Sequence, residues 1–259
     1  MDPELIFLCL AFIFGTCVGS FLNVCIYRIP EKKSIVFPGS FCPICKTKIP
    51  FYCNIPILSF LFLGGKCRSC RTLISFRYPL VELLTGCLAT AVAYKFGPTG
   101  PAMVWFGFAC TLTAVSFIDF DHQIIPDIIS LPGILIFGIL GFFVLELDIK
   151  TIVLGILTGG GILYGVALSY VLIKKEQGMG GGDIKLMAMI GAVTGIKGTL
   201  FTLFSGSLLG SLIGILILAG SRFTNIKQKI PFGPYLSAGA LLYVFYGEQL
   251  IQWYFHVLS

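Results

Sequence analysis

Two sets of residues have the types and spacing to do chemistry. The first is acidic. Asp119, Asp121 and Asp127 fall within Ser116-Phe117-Ile118-Asp119-Phe120-Asp121-His122-Gln123-Ile124-Ile125-Pro126-Asp127, and Asp183 closes the run Gly178-Met179-Gly180-Gly181-Gly182-Asp183, just before Ile184-Lys185-Leu186. Two carboxyl groups a few ångströms apart cannot both ionise, so one keeps a proton while the other is a base. Such a pair can draw a proton from water and polarise a carbonyl in one step, and it titrates as a unit. Asp119 and Asp121 are two residues apart and point different ways on a helix, so the useful partner for Asp119 is Asp183, from a separate segment. Gly180 and Gly182, lacking Cβ atoms, would let a substrate backbone come close.

The second set is thiol. Cys42-Pro43-Ile44-Cys45 and Cys67-Arg68-Ser69-Cys70 are paired C-x-x-C knuckles, the pattern of a tetrahedral Zn²⁺ site. Four thiolates leave no open position for water, so the ion would be structural and would help a basic loop to fold. Two disulfides or four free thiols are the alternatives, and a reducing cytoplasm disfavours the disulfides. The remaining cysteines (Cys9, Cys17, Cys25, Cys53, Cys87, Cys110) read as small apolar packing residues.

Each polar residue also has a plainer reading. Asp183 and Asp127 could cap the helices they precede, and Asp121 and His122 could be solvated interfacial groups. Lys185 would sit at the membrane edge and neutralise Asp183. Glu82 could pair with a loop arginine such as Arg77. Asn23 could hydrogen-bond between helices or lie near a cofactor, and Gly64-Gly65 could form a turn or admit a cofactor.

These residues must be positioned by membrane spans. The chain has 259 residues, 56% of them hydrophobic and only 12% charged. Its mean hydropathy is +0.95. A soluble domain is about 45–50% apolar and about 25% charged. The balance excludes disorder, a small secreted disulfide scaffold and an ordinary cytosolic enzyme, and the long unbroken apolar runs exclude an outer-membrane barrel. The expected fold is an all-α polytopic membrane protein of about eight transmembrane helices, with a cytoplasmic zinc-binding loop between the first and second. Apolar runs place the spans at 4–26, 79–96, 101–119, 127–146, 151–173, 184–197, 199–220 and 233–256. The sixth is short and glycine-rich, and so is expected to be tilted or re-entrant. Neither an internal repeat nor a low-complexity tract is expected.

The basic residues orient the spans. The segment 27–78 holds Arg28, Lys32, Lys33, Lys46, Lys48, Lys66, Arg68, Arg71 and Arg77, and Lys174, Lys175, Arg222, Lys227 and Lys229 fall on the same side if the spans alternate. The positive-inside rule puts that side in the cytoplasm, together with the zinc loop and the aspartates. The acidic start Met1-Asp2-Pro3-Glu4 is unlike a signal peptide, so 4–26 is expected to be a retained span.

Five stretches, in order, resemble the bacterial type IV prepilin peptidases, the bifunctional leader peptidase/N-methyltransferases. Gly19-Ser20-Phe21-Leu22-Asn23-Val24, the two cysteine knuckles, Arg77-Tyr78-Pro79-Leu80-Val81-Glu82, Ile118-Asp119 with Ile125-Pro126-Asp127, and Gly180-Gly181-Gly182-Asp183-Ile184-Lys185-Leu186 are similar to that family's motifs. The resemblance implies an intramembrane-type aspartic endopeptidase of the inner membrane, with Asp119 and Asp183 catalytic and Gly180, Gly182 and Lys185 supporting them. It implies prepilin or pseudopilin substrates with a basic leader and an apolar helix, in contact with the lipid bilayer, and no nucleic acid; the oligomeric state stays open. It further implies N-methylation with S-adenosylmethionine, for which Asn23, Gly65 and Glu82 are the candidate residues. The division it suggests is 1–26 as a first helix, 27–78 as the four-cysteine zinc loop and candidate methyltransferase region, and 79–259 as a seven-helix peptidase domain. The rivals are a peptidase without methylation, an ion-coupled transporter, which would also use intramembrane acids and broken helices, and a noncatalytic zinc-loop scaffold.

Overall fold

A computed structural model of the protein describes residues 2–175, 180–220 and 231–258. Gly178, Met179, Arg222, Lys227 and Lys229 lie outside the described residues. Within them the chain is helical, with two isolated β-bridges and no strand. The helices are α1 (Pro3–Arg28), a short α2 (Leu58–Phe62), α3 (Arg77–Phe96), α4 (Gly100–His122), α5 (Asp127–Phe143), α6 (Ile149–Lys174), α7 (Gly181–Gly220) and α8 (Gly233–Leu258). Among the described residues, α1, α3, α4, α6 and α7 are long and apolar enough to cross a membrane, and α5 is a shorter apolar helix. Large apolar side chains cover their outer faces, as lipid requires: Leu10, Phe14, Leu135 and Leu172 are all exposed.

The ends of these helices have local causes. Asp2 accepts the Glu4 N–H at 3.3 Å and Pro3 occupies the first helical position, so α1 starts on a cap rather than a basic n-region. α4 runs past Asp119 to His122 and stops where Gln123 turns left-handed, φ 54°. Pro126 then opens α5, one turn away. The expected sixth and seventh spans are the two helical legs of α7, joined across a kink where Gly195 takes φ 65° and ψ −168°. The first leg, 181–194, is about 20 Å long at about 1.5 Å per residue, short of the ~30 Å of hydrocarbon.

The chain divides into two compact units, Met1–Ala114 and Val115–Ser259. In the first, α1 packs antiparallel on α3. A Cβ on Gly15 would lie 2.5 Å from Ala89 Cβ, and one on Gly19 would lie 2.8 Å from Glu82 Cα, so the G-x-x-x-G of α1 brings the two backbones together. In the second, α7 is the centre: α5, α6 and α8 all pack against it. Gly155 and Gly159 of α6 repeat the device. A Cβ on Gly155 would run into the Gly191 carbonyl oxygen, and one on Gly159 into that of Met187. The fully buried Leu186, Met187, Met189 and Ile190 lie on this first leg of α7. Of the cysteines expected to pack in spans, Cys25 and Cys110 are buried, but Cys9, Cys17 and Cys87 are exposed on outward faces, where a small side chain costs nothing in lipid.

Gly191→Leu should therefore destabilise the protein by roughly 1–3 kcal/mol or more, lowering its melting temperature in detergent. Gly161→Leu, on the same helix pair but with nothing within 4 Å of its Cβ position, should leave it unchanged. Equal melting of the two variants would remove the glycine seam as a source of stability.

Candidate active site

The second unit brings Asp119 and Asp183 together. Asp119 lies in the last turn of α4 and is only 6% exposed; Asp183, half-buried, lies in the first turn of α7. The two carboxyl groups are near enough to repel each other. Helix ends hold both. The Gly233 N–H, at the start of α8, donates to Asp119 Oδ2 at 2.9 Å, one of the four N–H groups that a helix start leaves unpaired. Asp183 sits on the positive end of α7 itself. Asp119 gains from this especially, because its own helix ends beside it and presents a negative pole.

Ile125 wedges the two helix starts. A Cβ on Gly182 would lie 2.8 Å from Ile125 Cβ, and one on Gly233 would lie 3.3 Å from Ile125 Cδ1 and 2.8 Å from Asp119 Oδ2. Gly182 thus packs closely on Ile125. Gly181 faces open space, and a Cβ on Gly180 would lie 3.9 Å from Asp183 Oδ2. Sequence reasoning misses Gly233; the only signal is Pro231-Phe232-Gly233-Pro234, a turn ahead of the last apolar run.

The neighbouring charges depart from expectation. Lys185 Nζ pairs with Asp127 Oδ1 at 2.6 Å rather than with Asp183. Asp127 does not cap α5: it is the first helical residue, Pro126 holds the cap position, and no side-chain cap bond forms. An ion pair this exposed is worth about 0–1 kcal/mol, so it ties the starts of α5 and α7 only lightly. Asp121 and His122 are exposed, as expected of interfacial groups.

In the first unit the four knuckle sulfurs all lie within 4.8 Å of one another, and Cys42 Sγ is 3.9 Å from Cys70 Sγ. Zn–S bonds of ~2.3 Å make a tetrahedron with edges near ~3.8 Å. The cluster can hold a metal ion. The knuckles are also a short internal repeat, contrary to expectation: Cys-x-x-Cys-Lys-Thr at 42–47 and Cys-x-x-Cys-Arg-Thr at 67–72. In each, the first Cys N–H donates to the Thr carbonyl, and the basic residue turns left-handed (Lys46 φ 58°, Arg71 φ 60°). In each, the Thr hydroxyl lies beside the second sulfur, 3.3 Å for Thr47 and Cys45, 3.2 Å for Thr72 and Cys70. Hydrogen bonds from the Thr72 hydroxyl and then its backbone push the Cys70 thiol down to about 6, toward the thiolate that ligates metal.

Beside the cluster lies a cavity of about 790 Å³, lined by Asn23, Glu82, Tyr27, Tyr78 and both knuckles. Asn23 Nδ2 donates to the Tyr78 carbonyl at 3.0 Å, a bond between α1 and α3, while its Oδ1 is buried without a partner. Glu82 accepts the Ile57 N–H at 2.7 Å and bonds the Ser20 hydroxyl; neither partner is Arg77. Gly65 is not among the lining residues. It takes φ 67° with its Cβ position against the Phe60 ring, so Gly64-Gly65 is a turn.

The prepilin leader peptidase/N-methyltransferase of Pseudomonas putida is 35% identical over 272 residues, covering 96% of this chain and 94% of the relative. That of Aeromonas hydrophila is 37% identical over 273 residues, covering 95% and 92%. The chain belongs to the type IV leader peptidase family. The family's own model matches residues 105–215, which include the aspartate pair, and the bacterial peptidase A24 N-terminal domain model matches 13–96, which include the cysteine cluster and the cavity. No solved structure matches the chain.

Metal analysis of this leader peptidase should find close to one bound ion per chain. Cys67→Ser should release it, and Gly64→Ala or Gly65→Ala should weaken it by straining a left-handed turn. Full metal occupancy in Cys67→Ser would place the ion elsewhere.

Proposed function

We propose that the protein cleaves the basic leader from type IV prepilins or pseudopilins at the cytoplasmic face of the inner membrane, and then N-methylates the new terminal residue with S-adenosylmethionine. The observation that carries the peptidase half is the meeting of Asp119 and Asp183, from separate helices, where two helix starts neutralise them. The ionised aspartate takes a proton from water, whose oxygen attacks the scissile carbonyl. The protonated one donates to the carbonyl oxygen, giving a gem-diol; as the C–N bond breaks, the leaving amine takes the proton that came from water and a gem-diol hydroxyl returns its proton to the second aspartate, which regenerates the starting state. The relatives named as prepilin leader peptidase/N-methyltransferases support the substrate class.

Methylation rests on the first unit. The cavity lies within the ~300–1,000 Å³ of small-molecule pockets, and its tyrosines, its buried carboxylate and its unpaired amide oxygen fit a cationic ligand. S-adenosylmethionine would supply the methyl group there. This chain's own part is to enclose it: Glu82 on α3 and Asn23 on α1 offer hydrogen-bond acceptors, and the cysteine cluster, holding a structural Zn²⁺, keeps the loop folded over the helix pair. Methyl transfer then falls to 27–78 together with α1 and α3, which carry Asn23 and Glu82, and cleavage to the later helices that carry Asp119 and Asp183. The basic loop 27–78 supports a cytoplasmic placement for the loop and, by alternation of the spans, for the aspartates.

With a synthetic prepilin as substrate, Asp119→Asn and Asp183→Asn should each lower cleavage by roughly a thousandfold or more and leave metal content and melting unchanged. Gly233→Ala should lower it about a hundredfold, since an ångström of misplacement can cost that much. Normal cleavage by either Asn variant would end the two-aspartate reading. Product mass with and without S-adenosylmethionine decides methylation: an unmethylated product would leave a peptidase alone.

A further inference from the structure

The seam between α1 and α3 pairs residues in a fixed antiparallel register. A Cβ on Gly19 would lie 2.8 Å from Glu82 Cα, and Asn23, one turn on, bonds the Tyr78 carbonyl, one turn before Glu82. The register therefore stacks Asn23 next to Glu82 along one seam, with Ser20 between them. Both side chains are more than nine-tenths buried: Asn23 is 2% exposed and Glu82 8%. Both line the cavity. Each offers an acceptor there. Asn23 Oδ1 has no partner, because its amide is oriented by the Tyr78 carbonyl. Glu82 is bonded by a backbone N–H and a hydroxyl, both neutral donors. A buried carboxylate that accepts from neutral donors, on the same seam as an unpaired amide oxygen, can accept from a cation that donates N–H bonds.

Two of the cavity's arginines, Arg28 and Arg68, are engaged by the loop. Arg28 donates to the Ser34 and Gly39 carbonyls at 2.9 and 3.2 Å, and Arg68 to the Tyr52 hydroxyl at 2.8 Å. They hold the loop over the helices. Tyr27 and Tyr78 wall the same cavity and add the ring faces that favour a cation.

We infer that Asn23 and Glu82 form an ammonium-binding subsite, with Asn23 Oδ1 and the Glu82 carboxylate accepting from one –NH₃⁺ group of a ligand. This rests on the methyl-transfer reading for its two natural sources, the free α-amine of a cut pilin and the amino-acid end of the methyl donor. The chemistry is the same for both, and binding separates them without any turnover.

The test uses the full chain in detergent and measures binding of two matched pairs of probes by thermophoresis. One pair is a pilin-like peptide with a free amino terminus and the same peptide N-acetylated. The other is S-adenosylhomocysteine and its analogue lacking the amino group. Wild type should prefer the amine in one pair by about tenfold or more, the worth of a charge-assisted hydrogen bond. Glu82→Gln, which keeps an acceptor for the Ile57 N–H but removes the charge, should abolish that preference and leave the amine-free probe unchanged. Glu82→Asp should restore part of it. Asn23→Ala should reduce it independently, which covers the case of a Glu82 variant that fails to fold. The pair that responds identifies the ligand. No preference in wild type, or a preference that survives both Glu82→Gln and Asn23→Ala, would overturn the subsite. Methylation could then still occur, and conversely the subsite could bind amines in a chain whose product is never methylated.

Discussion

Two carboxyl groups held close together repel, and the more so where burial leaves little water to screen them. The second unit answers this with the positive ends of helices. Asp183 is in the first turn of α7, and Asp119, although it sits at the unfavourable end of α4, is reached by the free N–H at the start of α8. Much of the rest follows from that need. α7 must start beside the aspartate, which lies in its first turn. The link between α4 and α5 must be tight, so that Ile125 can wedge the two helix starts at a fixed spacing. Gly182 and Gly233 must be glycine because Ile125 and the Asp119 carboxylate occupy the space that a Cβ would take.

The short first leg of α7 needs strong lateral support. The contact between α6 and α7 provides it. Gly155, Gly159 and Gly191 let the backbones touch, and the four large side chains of the first leg are fully buried. In lipid, apolar side chains gain nothing by leaving the solvent, so close packing through small residues is the force available. The first unit uses the same device at Gly15, Gly19 and Gly86, but to another end. There it brings Asn23 and Glu82 together under a loop whose own core is the cysteine cluster.

That loop illustrates how a basic, aromatic segment without a conventional core can be shaped. Its two knuckles repeat one local design, in which a threonine carbonyl takes the N–H of the first cysteine, a left-handed basic residue makes the turn, and the threonine hydroxyl supports the second sulfur. Arg28 and Arg68 then fasten the loop through its carbonyls and Tyr52. The positive charge of the segment is therefore in part internal scaffolding.

The helical spans and the cysteine pattern were legible in the sequence, and so were Asp119 and Asp183 as candidates. Each is a local property: apolar run length, the reach of two sulfurs from one turn, and the scarcity of acids in an apolar chain. The knuckle repeat was legible too, in Cys-x-x-Cys-basic-Thr, but its threonines carry no signal until their hydroxyls are seen beside the sulfurs. Other features belong to the tertiary structure alone. Gly233 as a donor to Asp119, Lys185 paired with Asp127 instead of Asp183, Ile125 beneath Gly182, and the unpaired oxygen of Asn23 all depend on contacts between segments distant in the chain. Periodicity reports which face of a helix is apolar. It does not report which atom of another helix lies against that face, and in this protein those atoms decide how the carboxylates are held.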